Sequence, residues 1–251
     1  MNRYEQAAAI AAKQALGVFG AFHTRPEDGL PDGAGTLLLL GPKEPGFWSA
    51  FTDSAEWNDG AADPPDRWSA RVIAAVAREL GGAAFFPFGG PPYHPFYKWA
   101  LRSGRAWASP VRLLVHDTAG LMVSYRGAIA VPGQIELPRT PTQSPCDTCE
   151  SRPCVTACPV GALTQTGYDL PACHAFLDSA DGKSCLSSGC GVRRACPISQ
   201  AYGRLPGQSS YHMGLFHRRH LPATAALSLP PMANHPGTVH RSTTTPARRT
   251  P

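Results

Sequence analysis

The sequence predicts an α+β fold in which an N-terminal layer domain is followed by a metal-binding module and a disordered tail. All eight cysteines lie between Cys146 and Cys196, after a cysteine-free stretch with its own apolar runs. Helical periods and short apolar runs mix in the N-terminal part, which is typical of a layered domain. From about Pro222 the chain is rich in Pro, Thr, Ala and Arg without an apolar period. The expected boundaries are 1–135, 136–216 and 217–251.

The N-terminal domain is expected to contain both strands and helices. The continuously apolar run Gly35–Leu40 predicts a strand buried on both faces. A helix opening at Asp66 presents Val72, Ile73 and Val76 on one side and stops at the glycine pair 81–82. The other predicted elements are helices at Arg3–Leu16, Pro45–Ala55 and Phe96–Arg102, strands at Val18–Phe22 and Ala83–Phe88, and an antiparallel pair of Arg112–His116 with Leu121–Val131. Residues 132–145, rich in Pro, Thr and Gln, are expected to form a linker.

Composition and charge limit the classes of function. Charged residues interrupt the alanines near the N-terminus, so we expect no export signal, no membrane span and a reducing, cytoplasmic location. The net charge is +5, but no acidic residue follows Asp181, whereas residues 1–181 have 14 basic and 18 acidic side chains. The basic second half would suit an acidic redox partner, or it would offset negative charge on bound metal groups. No basic helix is interleaved with aromatics, so nucleic acid is not an expected partner.

The cysteine spacing predicts two iron–sulfur clusters. The first run is Cys146-x2-Cys149-x4-Cys154-x3-Cys158-Pro159, and after Cys173 the second is Cys185-x4-Cys190-x5-Cys196-Pro197. In the bacterial ferredoxin pattern C-x2-C-x2-C-x3-C-P, the last cysteine binds the other cluster. Proline after such a ligand suits a first turn that needs no amide hydrogen. Both Cys-Pro dipeptides therefore predict crossover ligands.

Two ligand sets follow from this pattern. We expect one [4Fe–4S] cluster on Cys146, Cys149, Cys154 and Cys196, and a second on Cys158, Cys173, Cys185 and Cys190. Four thiolates per cluster leave no open iron, which favours electron relay over chemistry at iron. The alternative is a pair of structural zinc sites with four cysteine ligands each. The single C-x2-C knuckle and the two Cys-Pro endings favour iron–sulfur.

The segment Cys146–Leu163, taken with the downstream cysteines, resembles the double-cluster module of bacterial ferredoxins. It is more similar still to the module that follows the cobalamin-binding domain in epoxyqueuosine reductase and reductive dehalogenases. In those enzymes an isolated cysteine between the two runs binds the second cluster, and the resemblance implies this role for Cys173. The likeness covers about a quarter of the chain and is specific for the cofactor rather than for the reaction.

A second resemblance concerns residues 116–133, which run from His116 through Arg126-Gly127 to a Pro-Gly pair. This segment resembles one in cytosolic cobalamin-processing proteins, which decyanate and dealkylate the vitamin and have a nitroreductase-like α+β fold. The resemblance implies a site for cobalamin, or less favourably flavin, at Arg126 and Gly127, with His116 beside them. The alternatives are a structural cation at Arg126 and a hydrogen-bonded core or turn histidine at His116.

Other candidate residues have simpler interpretations. An aromatic cluster would wall a flat cofactor or form core and turn packing; its members are Phe85, Phe86, Phe88, Tyr93, Phe96, Tyr97 and Trp99. His212, His217 and His220 are expected to be solvated, although Tyr211–Phe216 would be able to return to the N-terminal domain. Three functions remain open: an electron-transfer protein, a corrinoid-binding oxidoreductase fed by the clusters, and a non-redox interaction protein with structural clusters.

Overall fold

The computed structural model describes residues 1–218. Residues 219–251, which hold His220 and most of the predicted tail, lie outside the described residues. The strands are β1 (Leu16–His23), β2 (Ala34–Pro42), β3 (Ala83–Phe85), β4 (Ala106–Ala108), β5 (Leu114–His116) and β6 (Gly127–Pro132). The helices are α1 (Arg3–Lys13), α2 (Gly46–Thr52), α3 (Ala55–Asn58), α4 (Pro64–Glu79), α5 (Phe96–Arg102), α6 (Leu170–Asp178), α7 (Lys183–Ser188), α8 (Gly191–Ala195), α9 (Pro197–Ala201) and α10 (Pro206–Arg218).

An antiparallel sheet in the order β1-β2-β6-β3 forms the centre of the N-terminal part. The predicted doubly buried strand is confirmed, because Leu37–Leu40 in β2 are at most 1% exposed. Successive side chains of a strand point to opposite faces. Leu38, Leu40 and Ile129 therefore meet α1 and α4, while Leu37 and Leu39 meet α5. With helices against both faces of the sheet, the α+β class is confirmed.

One predicted pairing is wrong. β5 pairs with β4 and makes only an isolated bridge to Gly120, so residues 121–131 do not return along it. The chain instead runs on to β6, which lies between β2 and β3. The physical reason is burial: Ala128–Val131 are at most 4% exposed and bury side chains on both faces, which an edge hairpin does not offer.

The cysteine-rich region packs directly on the N-terminal part. Tyr211 in α10 contacts Trp48, Phe51 and Trp57, with ring centroids 5.6, 6.4 and 5.1 Å away. The expected return of this segment is thereby confirmed. α10 continues through Arg218, two residues past the predicted end of the module at 216. Within residues 1–218, no helix is both long and apolar enough to cross a membrane.

Candidate metal centre

The eight cysteines line two separate cavities, and each cavity contains one of the ligand sets expected from the spacing. The first cavity, about 410 Å³, is lined by Cys146, Cys149, Cys154 and Cys196. The second, about 310 Å³, is lined by Cys158, Cys173, Cys185 and Cys190. We call these four-cysteine sets the first site and the second site. The structure brings together the residues of each set, and their binding of iron stays a prediction.

Short local turns direct neighbouring cysteines into different cavities. Cys154 lies in a 3₁₀ turn at Pro153–Val155, whereas Cys158, four residues later, begins a turn closed by the Gly161 amide at 3.1 Å. Cys196 is extended and precedes Pro197, the first residue of α9. Because proline needs no amide partner there, this Cys-Pro pair has the geometry expected of a crossover ligand.

The first site is closed by the chain around residues 109–121. Pro110, Val115 and Leu121 line its cavity beside the cysteines. Ser109 also lines it, is only 7% exposed, and its buried Oγ has no hydrogen-bond partner in the described chain. A buried hydroxyl without a partner costs free energy. An acceptor in the cavity, such as a sulfur atom of a cluster, would satisfy Ser109.

Gly120 makes the closest backbone approach to the first site. Its φ is +56°, and a Cβ built there would lie 2.5 Å from Ser199 N and 3.1 Å from Cys196 Sγ. Only glycine fits this position without displacing the cysteine or straining the backbone. The Asp117–Gly120 turn therefore forms part of the cradle around Cys196.

Two hydrogen bonds reach the cysteine sulfurs of the second site. The Ala162 amide donates to Cys158 Sγ at 3.2 Å, and the Tyr168 hydroxyl donates to Cys173 Sγ at 3.3 Å. Burial raises the pKa of Tyr168, which keeps the phenol protonated and able to donate. Donors of this kind stabilise negative charge on sulfur.

Two arginines also line the second cavity. Arg193 donates from its guanidinium to the Leu121 carbonyl, and Arg204 Nε donates to Ser209 Oγ at 3.0 Å. Within residues 1–218, neither guanidinium forms an ion pair with a carboxylate. Burial lowers the pKa of both, that of Arg204 to about 10. Arg204 interacts electrostatically with Glu44, but no carboxylate balances Arg193 in the same way. Because a buried cation requires a compensating charge, the cavity suits an anionic occupant, as thiolate-bound clusters are.

The thiols themselves would gain from a metal group. Burial raises the pKa of Cys146, Cys154 and Cys173, and neighbouring cysteines add to the effect. Thiolates bind metals, so assembly must displace these protons. Within the described chain, no three or more His, Cys, Asp or Glu side chains are grouped so that they would hold a single metal ion. Two thiolate-bound clusters are compatible with three features: the eight cysteine thiols, the arginines that line the second cavity, and the close approach of Gly120 to Cys196.

His116 is a buried turn histidine with both ring nitrogens engaged. Its Nδ1 accepts from the amides of Thr118 and Ala119, so Nε2 holds the proton and donates to Phe19 O at 2.8 Å. The side chain is fully buried, and burial lowers the pKa of His116 to about 4. These contacts fix the Asp117–Gly120 turn and leave no ring nitrogen directed toward a ligand.

Arg126 and Gly127 occupy different environments although they are adjacent. Arg126 donates to Ser69 Oγ at 2.9 Å and to Asp66 Oδ1 at 2.6 Å, and it lines a third cavity of about 490 Å³. We call this space the Arg126 cavity; it also contacts His212 and Phe216, which line the second cavity as well. Gly127 lies in the sheet, where a Cβ would be 2.7 Å from Ile73 Cδ1. Of the implied pair, only Arg126 lines this cavity.

The remaining candidates also have structural contacts. Phe96 and Trp99 are buried in the core beneath the sheet, whereas Tyr93 and Tyr97 are 65% and 50% exposed. The aromatic cluster therefore does not form one continuous wall. The expectation of solvated histidines is wrong for His217, which is buried and bonded to Asp178 Oδ1 at 2.9 Å.

Several site residues were missed because the sequence gives each of them only a weak signal. Arg193 follows Cys190 by three residues, one helical turn, but Arg194 follows by four and is equally eligible. The structure directs Arg193 to the second cavity and leaves Arg194 exposed. Tyr168 lies only five residues before Cys173, a local spacing that offered a signal, whereas Ser109 reaches the first site through a tertiary contact.

Comparisons with known proteins add no family to this description. Protein-family models, curated proteins and solved structures were all searched, and none of them matched the chain.

The buried His116 should make stability fall at low pH. Its ordinary pKa of 6.5 applies in the unfolded chain and about 4 in the folded one, so only the unfolded state gains this proton at pH 5. The free energy of unfolding should therefore drop by about 2 kcal/mol between pH 8 and pH 5 from this residue. Denaturant unfolding at both pH values should show a smaller drop for His116→Gln. An equal drop in both proteins would contradict this assignment.

Substituting Gly120 should weaken the first site selectively. Gly120→Ala places a methyl group against Ser199 and Cys196, so about half of the bound iron should be lost. The matched control is Gly81→Ala, which has a similar φ of +65° and open space around the new Cβ. Iron analysis and visible absorption compare the two. Equal iron content in both variants would show that Gly120 does not support the site.

Proposed function

We propose that this protein is an iron–sulfur electron-transfer protein that holds two [4Fe–4S] clusters. The single observation that supports this best is the division of the eight cysteines between two cavities, four and four, in the sets expected from two crossed ferredoxin-type motifs. When bound, such clusters supply one-electron transfer. The chain's own residues provide the thiolates, hydrogen bonds to sulfur and compensating cations.

The proposal extends to the fold of each part. We propose that the cysteine-rich region is a bacterial-ferredoxin-like double-cluster module and that the sheet domain is nitroreductase-like. Cys158 lines the second cavity although its neighbour Cys154 lines the first, and Cys196 lines the first although Cys190 lines the second, which supports the first assignment. The antiparallel sheet between helices is consistent with the second assignment. We also propose a cytoplasmic location, where thiols stay reduced.

A redox partner with an acidic surface fits the charge of the second half. Arg193 lines the second cavity and serves its charge balance, whereas Lys183 is exposed and available to a partner. Arg194 is also exposed, but its Nε donates to the Gly189 carbonyl at 2.9 Å. Exposed cations steer an oppositely charged protein over a distance of about 10 Å at moderate salt. Arg193 would therefore offset the charge of a bound cluster, and Lys183 would help to attract an acidic partner.

A corrinoid-binding reductase is the second candidate function, and one observation favours it. The Arg126 cavity and the second cavity share His212 and Phe216, so a ligand beside Arg126 would lie one side-chain layer from the second site. Fixed proximity would replace a bimolecular encounter with an electron donor.

Removing individual cysteines tests both the clusters and their pairing. The anaerobically reconstituted protein should bind about eight iron and eight sulfide per chain, and Cys154→Ala and Cys158→Ala should each retain about half. Because these neighbours line different cavities, their residual paramagnetic spectra should differ, and Cys196→Ala should match Cys154→Ala. Identical spectra for Cys154→Ala and Cys158→Ala would contradict the pairing. A colourless zinc protein without sulfide would refute the proposed function.

Hydroxocobalamin binding tests the second candidate. The visible spectrum of the corrinoid should change on binding, and Arg126→Gln should weaken the affinity about tenfold by removing a charged hydrogen-bond donor. Arg67→Gln is the matched control, since Arg67 pairs with Asp59 on the surface and does not line the cavity. Absence of binding to the wild type, or equal affinity for both variants, would remove the corrinoid hypothesis.

A further inference from the structure

Hydrogen-bond donors reach cysteine sulfur in both sites. In the second site, the Ala162 amide and the Tyr168 hydroxyl both donate to cysteine sulfur. In the first site, the Ser144 side chain is hydrogen-bonded to Cys146, and the buried Ser109 hydroxyl lines the cavity. Reduction adds negative charge to a cluster, so each donor favours the reduced form.

The two cavities differ in the charged residues that line them. Arg193 and Arg204 both line the second cavity; Arg204 interacts electrostatically with Glu44, whereas Arg193 has no carboxylate in ion-pair contact within residues 1–218. The charged residues lining the first cavity are Glu150 and Arg152, which are opposite in sign and exposed to solvent. Water screens exposed charges, while charges inside a cavity act at a low dielectric.

Arg193 is held in a fixed position by the chain that separates the sites. Its guanidinium donates to the carbonyl of Leu121, a residue that lines the first cavity. Met122 and Val123, the next residues, line the second cavity. The cation is therefore anchored between the sites but lines only the second of them.

We infer that Arg193, together with Tyr168, makes the second site easier to reduce than the first. The cluster held by Cys158, Cys173, Cys185 and Cys190 would then take up the electron first. The inference rests on the proposed function. Reduction adds one electron at a site and breaks no bond, and dithionite supplies that electron in the experiment below. The second site is also the one beside the Arg126 cavity, where an acceptor would meet it.

A redox titration of the reconstituted protein, followed by electron paramagnetic resonance, should resolve two reduction waves. Arg193→Met should lower the midpoint potential of the higher-potential wave by at least about 59 mV. This shift corresponds to a tenfold change in the equilibrium constant of a one-electron reduction. Tyr168→Phe should lower the same wave by a smaller amount. Ser109→Ala should move only the lower-potential wave. Arg193→Lys keeps the charge and should restore most of the wild-type potential.

Lys183→Met is the matched control, since Lys183 is an exposed cation of α7 that does not line the second cavity. It should move neither wave by more than a small fraction of the Arg193→Met shift. The inference is overturned if Arg193→Met leaves the higher wave in place, or if the wave that responds to Tyr168→Phe is the lower one. If Arg193→Met fails to assemble clusters, Arg193→Lys and Tyr168→Phe decide the question alone. A wild-type protein with no reduction wave would instead refute the proposed function.

Discussion

Leu121 joins the sheet domain to the cysteine-rich region through both of its peptide groups. Its N–H donates to Ser199 Oγ at 2.9 Å, and its carbonyl accepts from Arg193. Its side chain is 1% exposed and packs with Cys154 and Cys196. Both candidate sites depend on this contact, because residues 121–124 form walls of the two cavities.

The turn before Leu121 is built to keep that segment in place. The neutral His116 ring ties the amides of Thr118 and Ala119 to the carbonyl of Phe19 in β1. Asp117 accepts two hydrogen bonds from Arg105, at 2.7 and 2.8 Å. Gly120 then passes close enough to Cys196 that no side chain fits. Residues 116–120, which belong to the segment predicted to form part of a cofactor pocket, thus support the first site structurally.

Basic residues of the second half of the chain contribute to the second cavity. Thiolate-bound clusters are anionic, and the second cavity supplies Arg193 and Arg204. Glu44 interacts electrostatically with Arg204, so a negative occupant of the cavity would chiefly offset the burial of Arg193. Among the other basic residues that the structure describes in this half, Lys183 and Arg194 are exposed to solvent, where charge can steer a partner.

The sequence by itself determined the α+β class, the doubly buried strand β2 and the two cysteine sets. These features follow from local spacing. An apolar run predicts a buried strand, and a Cys-Pro ending predicts that its cysteine belongs to the other site. Tertiary structure alone decided that Ala128–Val131 joins the central sheet, that His116 is a turn residue, and that Arg193 rather than Arg194 lines the second cavity. Those outcomes depend on which surfaces meet across more than 70 residues of chain, as Leu121 and Arg193 do. Spacing along the sequence does not encode such contacts, because many long-range pairings satisfy the same local pattern.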